Sequence, residues 1–236
     1  MGRRAARRRL PPRPSPRPPR RLTTGEAVWS VGYQASTYTG YSIDQPYALM
    51  QWNGRAWTEW RLPQQAHVLY KVDAASARDV WTVGVRRLGE SYAGHFDGST
   101  WTAHAPWPAP AGTSGLLDVA ATGGGRAVFV GHDGGRPLVV AGGSGQFGRG
   151  AVPGTEWLNG VLRAVSRTAD AGVFAAGERY VADAPYPEPM IAQRVGGVWR
   201  VAPLPSIPSA RLTTSRGPRR SGGAEPCRPP GSASPP

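Results

Sequence analysis

Short apolar runs alternate with breaks rich in Gly, Pro and polar residues along most of the chain, and three landmarks recur in them. The first is Leu-x-x-Val, at residues 69–72, 116–119 and 162–165. The second is a run that pairs Val with an aromatic residue and ends in Gly, at residues 28–32, 80–84, 128–131 and 173–177. The third is a tight turn before an aromatic residue: Trp57, Trp101, Phe147 or Trp199. The landmarks return every 44 to 52 residues, so most of the chain is one repeated unit.

The landmarks mark four β-strands in each complete unit. The dipeptides Asn53-Gly54 and Asp97-Gly98 lie between apolar runs and are strong hairpin signals, because both residue types tolerate the positive φ that such turns require. Four antiparallel strands at this period are typical of a β-propeller blade, so the sequence predicts an all-β fold built from propeller blades. In the second unit we predict strands at about 68–75, 79–85, 91–97 and 100–105.

We divide the chain into a β-propeller repeat domain at residues 22–205 and two tails, 1–21 and 206–236. The tails are rich in Arg, Pro and Gly, a composition that predicts disorder. The four units of the domain span about 22–65, 66–110, 111–155 and 156–205.

The first unit is incomplete, because it begins near Glu26 with its second strand. The sequence therefore predicts fifteen strands, three in the first unit and four in each of the others. We expect an open or partial propeller, a truncated fragment of a larger one, that self-associates through its open blade edges. Residues 210–214 are the candidate for a closing strand, although they lack the Leu-x-x-Val pattern. We further expect Trp29, Trp81, Phe129 and Phe174 to be buried at equivalent positions of four superposable sheets, and the aromatic residue after each turn to pack on the neighbouring unit.

The net charge of +13 lies entirely in the tails. Residues 1–21 contribute +9 and residues 210–236 contribute +4, whereas residues 22–209 are balanced. A basic groove for a phosphate backbone is therefore not expected in the folded part, and we predict no specific nucleic-acid partner.

The motif from Asp79 to Gly84, followed by Phe96 to Thr102, reads Asp-Val-Trp-x-Val-Gly … Phe-Asp-Gly-x-x-Trp-Thr. It resembles the kelch-like repeats of propellers such as the central domain of galactose oxidase, as they occur in actinobacterial proteins. The resemblance covers about residues 26–205 and implies a propeller fold, while its motifs are structural and carry little information on function.

The residues that could carry chemistry all have simpler structural interpretations. The turn that begins at Asp97 is close to the Asp-box of sialidase-like propellers, and we interpret it as a hairpin turn. The one cysteine, Cys227, lies in the tail, so the copper site of galactose oxidase is not expected. The Gly-rich segments 123–125 and 142–145 are interpreted as turns. The histidines show no ligand spacing: His67, His95, His104 and His132. We therefore predict no catalytic, cofactor-binding or metal-binding residue.

The favoured hypothesis is a non-enzymatic module that binds a protein or a carbohydrate through loops. Its likeliest contact segments are the aromatic insertions Tyr33–Tyr47 and Tyr180–Pro189. The alternative is a carbohydrate-active enzyme, a glycoside hydrolase or lyase, whose candidate carboxylates are Asp44, Glu90 and Asp183.

The sequence leaves the cellular compartment open. It contains no apolar run long enough for a membrane span, so no membrane partner is expected. Pro11 and Pro12 stand where the apolar part of a secretion signal would begin, although related propellers are often secreted.

Overall fold

A computed structural model describes residues 27–33, 47–63, 66–86, 88–107, 114–152, 159–170, 172–182 and 184–204. These ranges contain fifteen β-strands and no helix, and in particular no helix that could cross a membrane. The strands are β1 (Val28–Tyr33), β2 (Tyr47–Trp52), β3 (Trp57–Glu59), β4 (Val68–Ser76), β5 (Asp79–Val85), β6 (Ser91–Phe96), β7 (Trp101–His104), β8 (Ser114–Ala121), β9 (Arg126–Asp133), β10 (Arg136–Gly143), β11 (Gln146–Arg149), β12 (Asn159–Arg167), β13 (Val173–Tyr180), β14 (Glu188–Val195) and β15 (Val198–Val201).

The strands form four separate antiparallel sheets in which each strand pairs with its neighbours in the chain. Blade 1 contains β1–β3, blade 2 contains β4–β7, blade 3 contains β8–β11 and blade 4 contains β12–β15. The predicted all-β fold, the count of fifteen strands and the three-stranded first blade are therefore confirmed in the described chain. The strands predicted in the second unit agree with the observed ones to within one residue. The proposed closing strand at 210–214 lies outside the described residues.

The blades pack face to face in chain order. Successive side chains of a strand point to opposite faces, and in blades 2 and 3 both faces of the central strands are buried. In β5, Val80 lies on one face and Trp81 on the other. We call the face toward the preceding blade the back face and the face toward the following blade the front face. Three apolar clusters join blade 1 to 2, blade 2 to 3 and blade 3 to 4. None of the clusters formed by the described residues joins blade 4 to blade 1, as expected for an open row of blades.

The Leu and Gly landmarks meet where the first two strands of a blade cross most closely. Leu69 pairs with Gly84, and the first strand of the blade bulges directly after this pair. The same pairing and bulge recur at Leu116 in blade 3 and at Leu162 in blade 4. A Cβ on Gly84 would lie 1.9 Å from the carbonyl oxygen of Val68, so glycine is required by the close approach of two backbones.

The expectation that four core aromatic residues are buried at equivalent positions is met only in part. Trp29 and Trp81 are buried, whereas Phe174 at the equivalent place in blade 4 is only partly buried. The position expected for Phe129 is wrong. Trp81 lies on the front face of blade 2, whereas Phe129 lies on the back face of blade 3, and the two rings meet edge to face across the interface at 5.6 Å. When the blades are aligned on the Gly that pairs with the landmark Leu, the residue equivalent to Trp81 is Val128. The cause is the third unit's landmark, which is one residue shorter, because a shift of one residue moves a side chain to the other face of a sheet.

In blades 1 and 2 the tight turn is held by its first side chain. Asp97 accepts hydrogen bonds from the backbone amides of Ser99 and Thr100, both at 2.8 Å. Asn53 does the same for Arg55 and Ala56 in blade 1, at 3.0 and 2.9 Å. The interpretation of the Asp97 segment as a hairpin turn is thus confirmed.

The aromatic residue after the turn packs on the preceding blade in blades 2, 3 and 4, as predicted. In blade 3 this residue is Phe147, which contacts His104 of blade 2 at a ring-centroid distance of 5.6 Å. Trp101 contacts Trp29 of blade 1 at 5.3 Å, and Trp199 joins the cluster between blades 3 and 4. The prediction is wrong for Trp57 in blade 1, which is 45% exposed and stacks at an angle on Trp52 of its own sheet. Among the described residues no blade precedes blade 1, and this explains the difference.

Candidate binding surface on the fourth blade

Both predicted contact segments belong to the same end of the blades. Each is the connection between the second and third strands of its blade, and in an up-and-down sheet these connections lie at one end, together with the links from each blade to the next. We call this the connection end. In blade 1 the connection, residues 34–46, lies outside the described residues. In blade 4 the structure describes 181–182 and 184–187.

The connection of blade 4 exposes large apolar side chains. Tyr180 is 49% exposed and Tyr186 is 62% exposed, and Val181 between them is exposed as well. In blade 3 the equivalent connection is a two-residue turn, Gly134-Gly135. The insertion in blade 4 is therefore not needed to reverse the chain, and its effect is to present aromatic surface to solvent.

An ion pair holds the two strands at the base of this connection. Arg179 and Glu188 are cross-strand partners, and the Nε and an Nη of Arg179 donate to Oε2 of Glu188 at 2.9 and 2.7 Å. Both side chains are about 40% exposed or more, so the pair contributes little to stability. Its effect is to fix where the connection begins and ends.

A second ion pair lies one residue further inside blade 4 and holds Tyr180. Glu178 is buried, and its Oε1 accepts a bond from Nε of Arg163 at 3.0 Å and another from the hydroxyl of Tyr180 at 3.2 Å. Arg163 reaches it because it is the extra residue of the bulge in β12, and bulges redirect side chains in this way. The hydrogen bond to Glu178 thereby orients the Tyr180 ring, while the ring itself stays partly exposed to solvent.

This pair has no counterpart in the preceding blades. The residues equivalent to Arg163 are Tyr70 in blade 2 and Leu117 in blade 3, and those equivalent to Glu178 are Val85 and His132. Burying an ion pair costs desolvation energy that an apolar pair would not. Blade 4 therefore departs from the repeat at the place where its exposed aromatic residues are.

Three aspartates in the first halves of the blades serve to connect neighbouring blades. Asp73 accepts a bond from the amide of Ala121 at 2.9 Å, and Asp118 accepts one from Val165 at 2.9 Å. Burial raises the pKa of Asp118, and the amides of Val165 and Val119 oppose that shift. These carboxylates are occupied by backbone amides of the next blade, which favours a structural role.

The third aspartate lies beside the histidines of blade 2. Asp79 accepts a bond from the amide of Gly125 at 3.0 Å, and its other oxygen lies 3.0 Å from Nε2 of His95. His95 stacks on Trp81 at 4.3 Å. Burial, together with the charge of nearby His95, lowers the pKa of His104. In the ranges that the structure describes, no three His, Cys, Asp or Glu side chains come together as metal ligands would.

Of the three candidate catalytic carboxylates, Asp44, Glu90 and Asp183, the structure describes only Glu90. Glu90 is exposed in the connection between β5 and β6, where its carbonyl accepts a bond from the amide of Arg86 at 2.9 Å. Asp44 and Asp183 lie outside the described residues. The enzymatic alternative thus stays a hypothesis.

Sequence reasoning missed Arg163 and Glu178. The available signal was Glu178 itself, an acidic residue directly after the landmark Gly, in a strand that is otherwise apolar up to that point.

Comparison with known proteins gives no relative from which a role could be transferred. No protein-family model matches the chain, and no curated protein is significantly similar to it.

Proposed function

We propose that this chain is a non-enzymatic module of kelch-like propeller repeats that binds a protein or carbohydrate ligand at the connection end of blade 4. The observation that carries the proposal is the pair of exposed tyrosines, Tyr180 and Tyr186, on an insertion that the fold does not require. Tyrosine is enriched at binding surfaces because it offers a large apolar ring with a polar tip.

The chemistry of the surface limits what it can bind. The tyrosine rings offer flat apolar faces, and the ion pair of Arg179 with Glu188 places a donor and an acceptor beside them. Such a combination suits a ligand with apolar patches between hydroxyl or amide groups, as in a sugar ring or an extended peptide. The buried bond from Tyr180 to Glu178 orders one ring before binding, which lowers the entropic cost of association.

Binding can be tested with soluble polysaccharides and with a peptide library. We expect the full chain to be retarded in native affinity electrophoresis by at least one of xylan, galactan and β-glucan, or to select a consensus from a phage-displayed peptide library. Tyr186→Ala should weaken that binding by at least about tenfold, as expected for an aromatic hot spot worth about 2 kcal/mol. Tyr180→Phe should weaken it less, since the ring is kept and only the bond to Glu178 is lost.

Leu88→Ala is the matched control, because Leu88 is exposed in the equivalent connection of blade 2. It should leave binding unchanged. The proposal is wrong if no probe binds, or if Tyr186→Ala and Leu88→Ala bind equally well.

A further inference from the structure

The back face of blade 1 differs from the other back faces in what covers it. Trp57, Trp101 and Trp199 are equivalent residues, each following the turn between the last two strands. Trp101 and Trp199 are buried at 7% and 4% exposure by the blade before them, whereas Trp57 is 45% exposed. The same kind of surface is therefore covered in blades 2 and 4 and partly bare in blade 1.

This back face is apolar over several strands. The alternation of side chains and the strand register place Val28, Ala48, Met50 and Trp52 on the same face as Trp57. Their equivalents in blade 4 include Val173, Met190 and Ala192, which are buried in the interface with blade 3. The four side chains of blade 1 are partly buried in the single chain, and Ser30 on the same face is exposed. A partly exposed apolar patch of this composition is typical of an interaction site.

The front face of blade 4 shows the complementary difference. Ile191 is equivalent to Leu49, Ala93 and Val139, the central residues of the three preceding front faces. Those three are 0%, 0% and 1% exposed, whereas Ile191 is only partly buried. Along the outer strand of the same face, Val198 and Arg200 are exposed. The front face of blade 4 and the back face of blade 1 thus form the same kind of pair as the three internal interfaces.

Charge is compatible across this pair. The exposed Arg200 lies on the front face of blade 4, and the exposed Glu59 lies on the back face of blade 1. The N-terminal tail is a poor alternative cover, since residues 1–21 contain nine Arg and a single Leu.

We propose that the back face of blade 1 binds the front face of blade 4 of a second copy of this chain. The contact is head-to-tail, and two copies can satisfy both of their open faces at once in a ring with two identical interfaces. Such a ring has eight blades, within the usual range of about four to eight for propellers. Tyr186 is not part of these faces as defined by the strand register, whereas Tyr180 and Glu178 lie at the connection end of the front face. Tyr186 is therefore the residue of the ligand surface whose substitution separates the two interactions.

The mass of the full chain in solution tests the proposal. We expect a dimer by size-exclusion chromatography with light scattering at about 50 µM. Trp57→Glu on the back face and Ile191→Glu on the front face should each give a monomer, because a charge is buried against an apolar surface. Far-UV circular dichroism and thermal unfolding check that each variant is folded, and both substituted side chains are at least partly exposed in the single chain.

Mixing the two variants tests the head-to-tail geometry. The mixture retains one intact back face and one intact front face, so a one-to-one heterodimer should form. A wild-type monomer at 50 µM would overturn the proposal. A mixture that stays monomeric would overturn it too, as would a dimer abolished by Trp57→Glu but untouched by Ile191→Glu, which indicates two back faces in contact.

A charge exchange gives a second test that does not bury a new charge in an apolar surface. Glu59→Arg and Arg200→Glu should each weaken the dimer by roughly fivefold, the effect of about 1 kcal/mol at an exposed pair. The double variant should regain wild-type affinity, since it restores opposite charges on the two faces. Additive weakening in the double variant would contradict the proposed contact of these two faces. Tyr186→Ala serves as the control and should dimerise like wild type.

Discussion

The landmark glycine in the second strand of each blade offers a matched test of the observation that no inner strand is found beside β1 among the described residues. A Cβ on Gly84 would lie 1.9 Å from the carbonyl oxygen of Val68, whereas ordinary contacts of a Cβ begin at 3.4 Å. Both partners are backbone, so β4 must move away by roughly 1.5 Å, the difference between these distances. We expect Gly84→Ala to lower the free energy of unfolding by about 3 kcal/mol, the upper end of the range for overpacked sites.

Gly32 is the control, since it holds the equivalent place in blade 1. No atom of the described residues lies within 4 Å of a Cβ built there, and its φ is not in the left-handed region. Gly32→Ala should therefore be neutral or stabilise the protein by up to about 1 kcal/mol, because alanine restricts the unfolded chain. The two variants make the same chemical change and are expected to have effects of opposite sign.

Urea unfolding followed by far-UV circular dichroism measures both effects. The protein concentration is held fixed, because self-association would otherwise contribute to stability. Equal m-values across the variants show that the midpoints report stability. If Gly32→Ala lowers the free energy of unfolding as much as Gly84→Ala does, a chain segment pairs with β1 as β4 pairs with β5. The interpretation of blade 1 as three-stranded would then be wrong.

Three further predictions follow from the packing and the carboxylates. Trp81→Ala should lower the free energy of unfolding by about 3–5 kcal/mol. A double-mutant cycle with Phe129→Ala should show a coupling free energy of about 0.5–1.5 kcal/mol for the edge-to-face pair. Zero coupling would contradict the corrected position of Phe129. The pKa of Asp118 is raised in the folded state, so the contribution of this carboxyl to the free energy of unfolding is complete below pH 3.8 and is lost as the pH rises through the folded-state pKa. The free energy of unfolding of wild type relative to Asp118→Asn should therefore fall over that interval. A difference that stays constant with pH would refute this prediction. Hydrogen bonds from Thr100 and Ser99 hold the pKa of Asp97 well below its usual value, so Asp97→Ala should lower the thermal midpoint at pH 7 and the difference should shrink below pH 3.8; a difference that does not change with pH would contradict this.

The sequence predicted the repeated parts of the fold well, because each landmark reports a local requirement. Asn53 and Asp97 mark turns that need their side-chain acceptors, and the Gly landmarks mark the close approach to the inner strand. Such requirements involve a few neighbouring residues, so they can be recognised in the sequence without knowing the rest of the fold.

The facing of side chains and the candidate surface were harder to predict. Phe129 was assigned to the wrong face because aromatic residues were aligned with one another, whereas register is fixed by the Gly that pairs with Leu116. Arg163 and Glu178 are fifteen residues apart and meet only through the bulge in β12. The landmark Leu-x-x-Val does not reveal that bulge, because its spacing is the same whether or not the strand is regular.

Departures from the repeat are of two kinds, and only one kind points to function. Gly32, Trp57 and Ile191 differ from their equivalents because none of the described strands or blades lies beside them there, so their environment follows from position in the row. The ion pair of Arg163 and Glu178 has its neighbours in place, and blades 2 and 3 fold with uncharged or apolar residues at most of those positions. A buried ion pair is not a favourable substitute for such packing. The pair also holds Tyr180 at the edge of the exposed insertion, which is what the proposed binding role requires, and this distinguishes blade 4 from the scaffold around it.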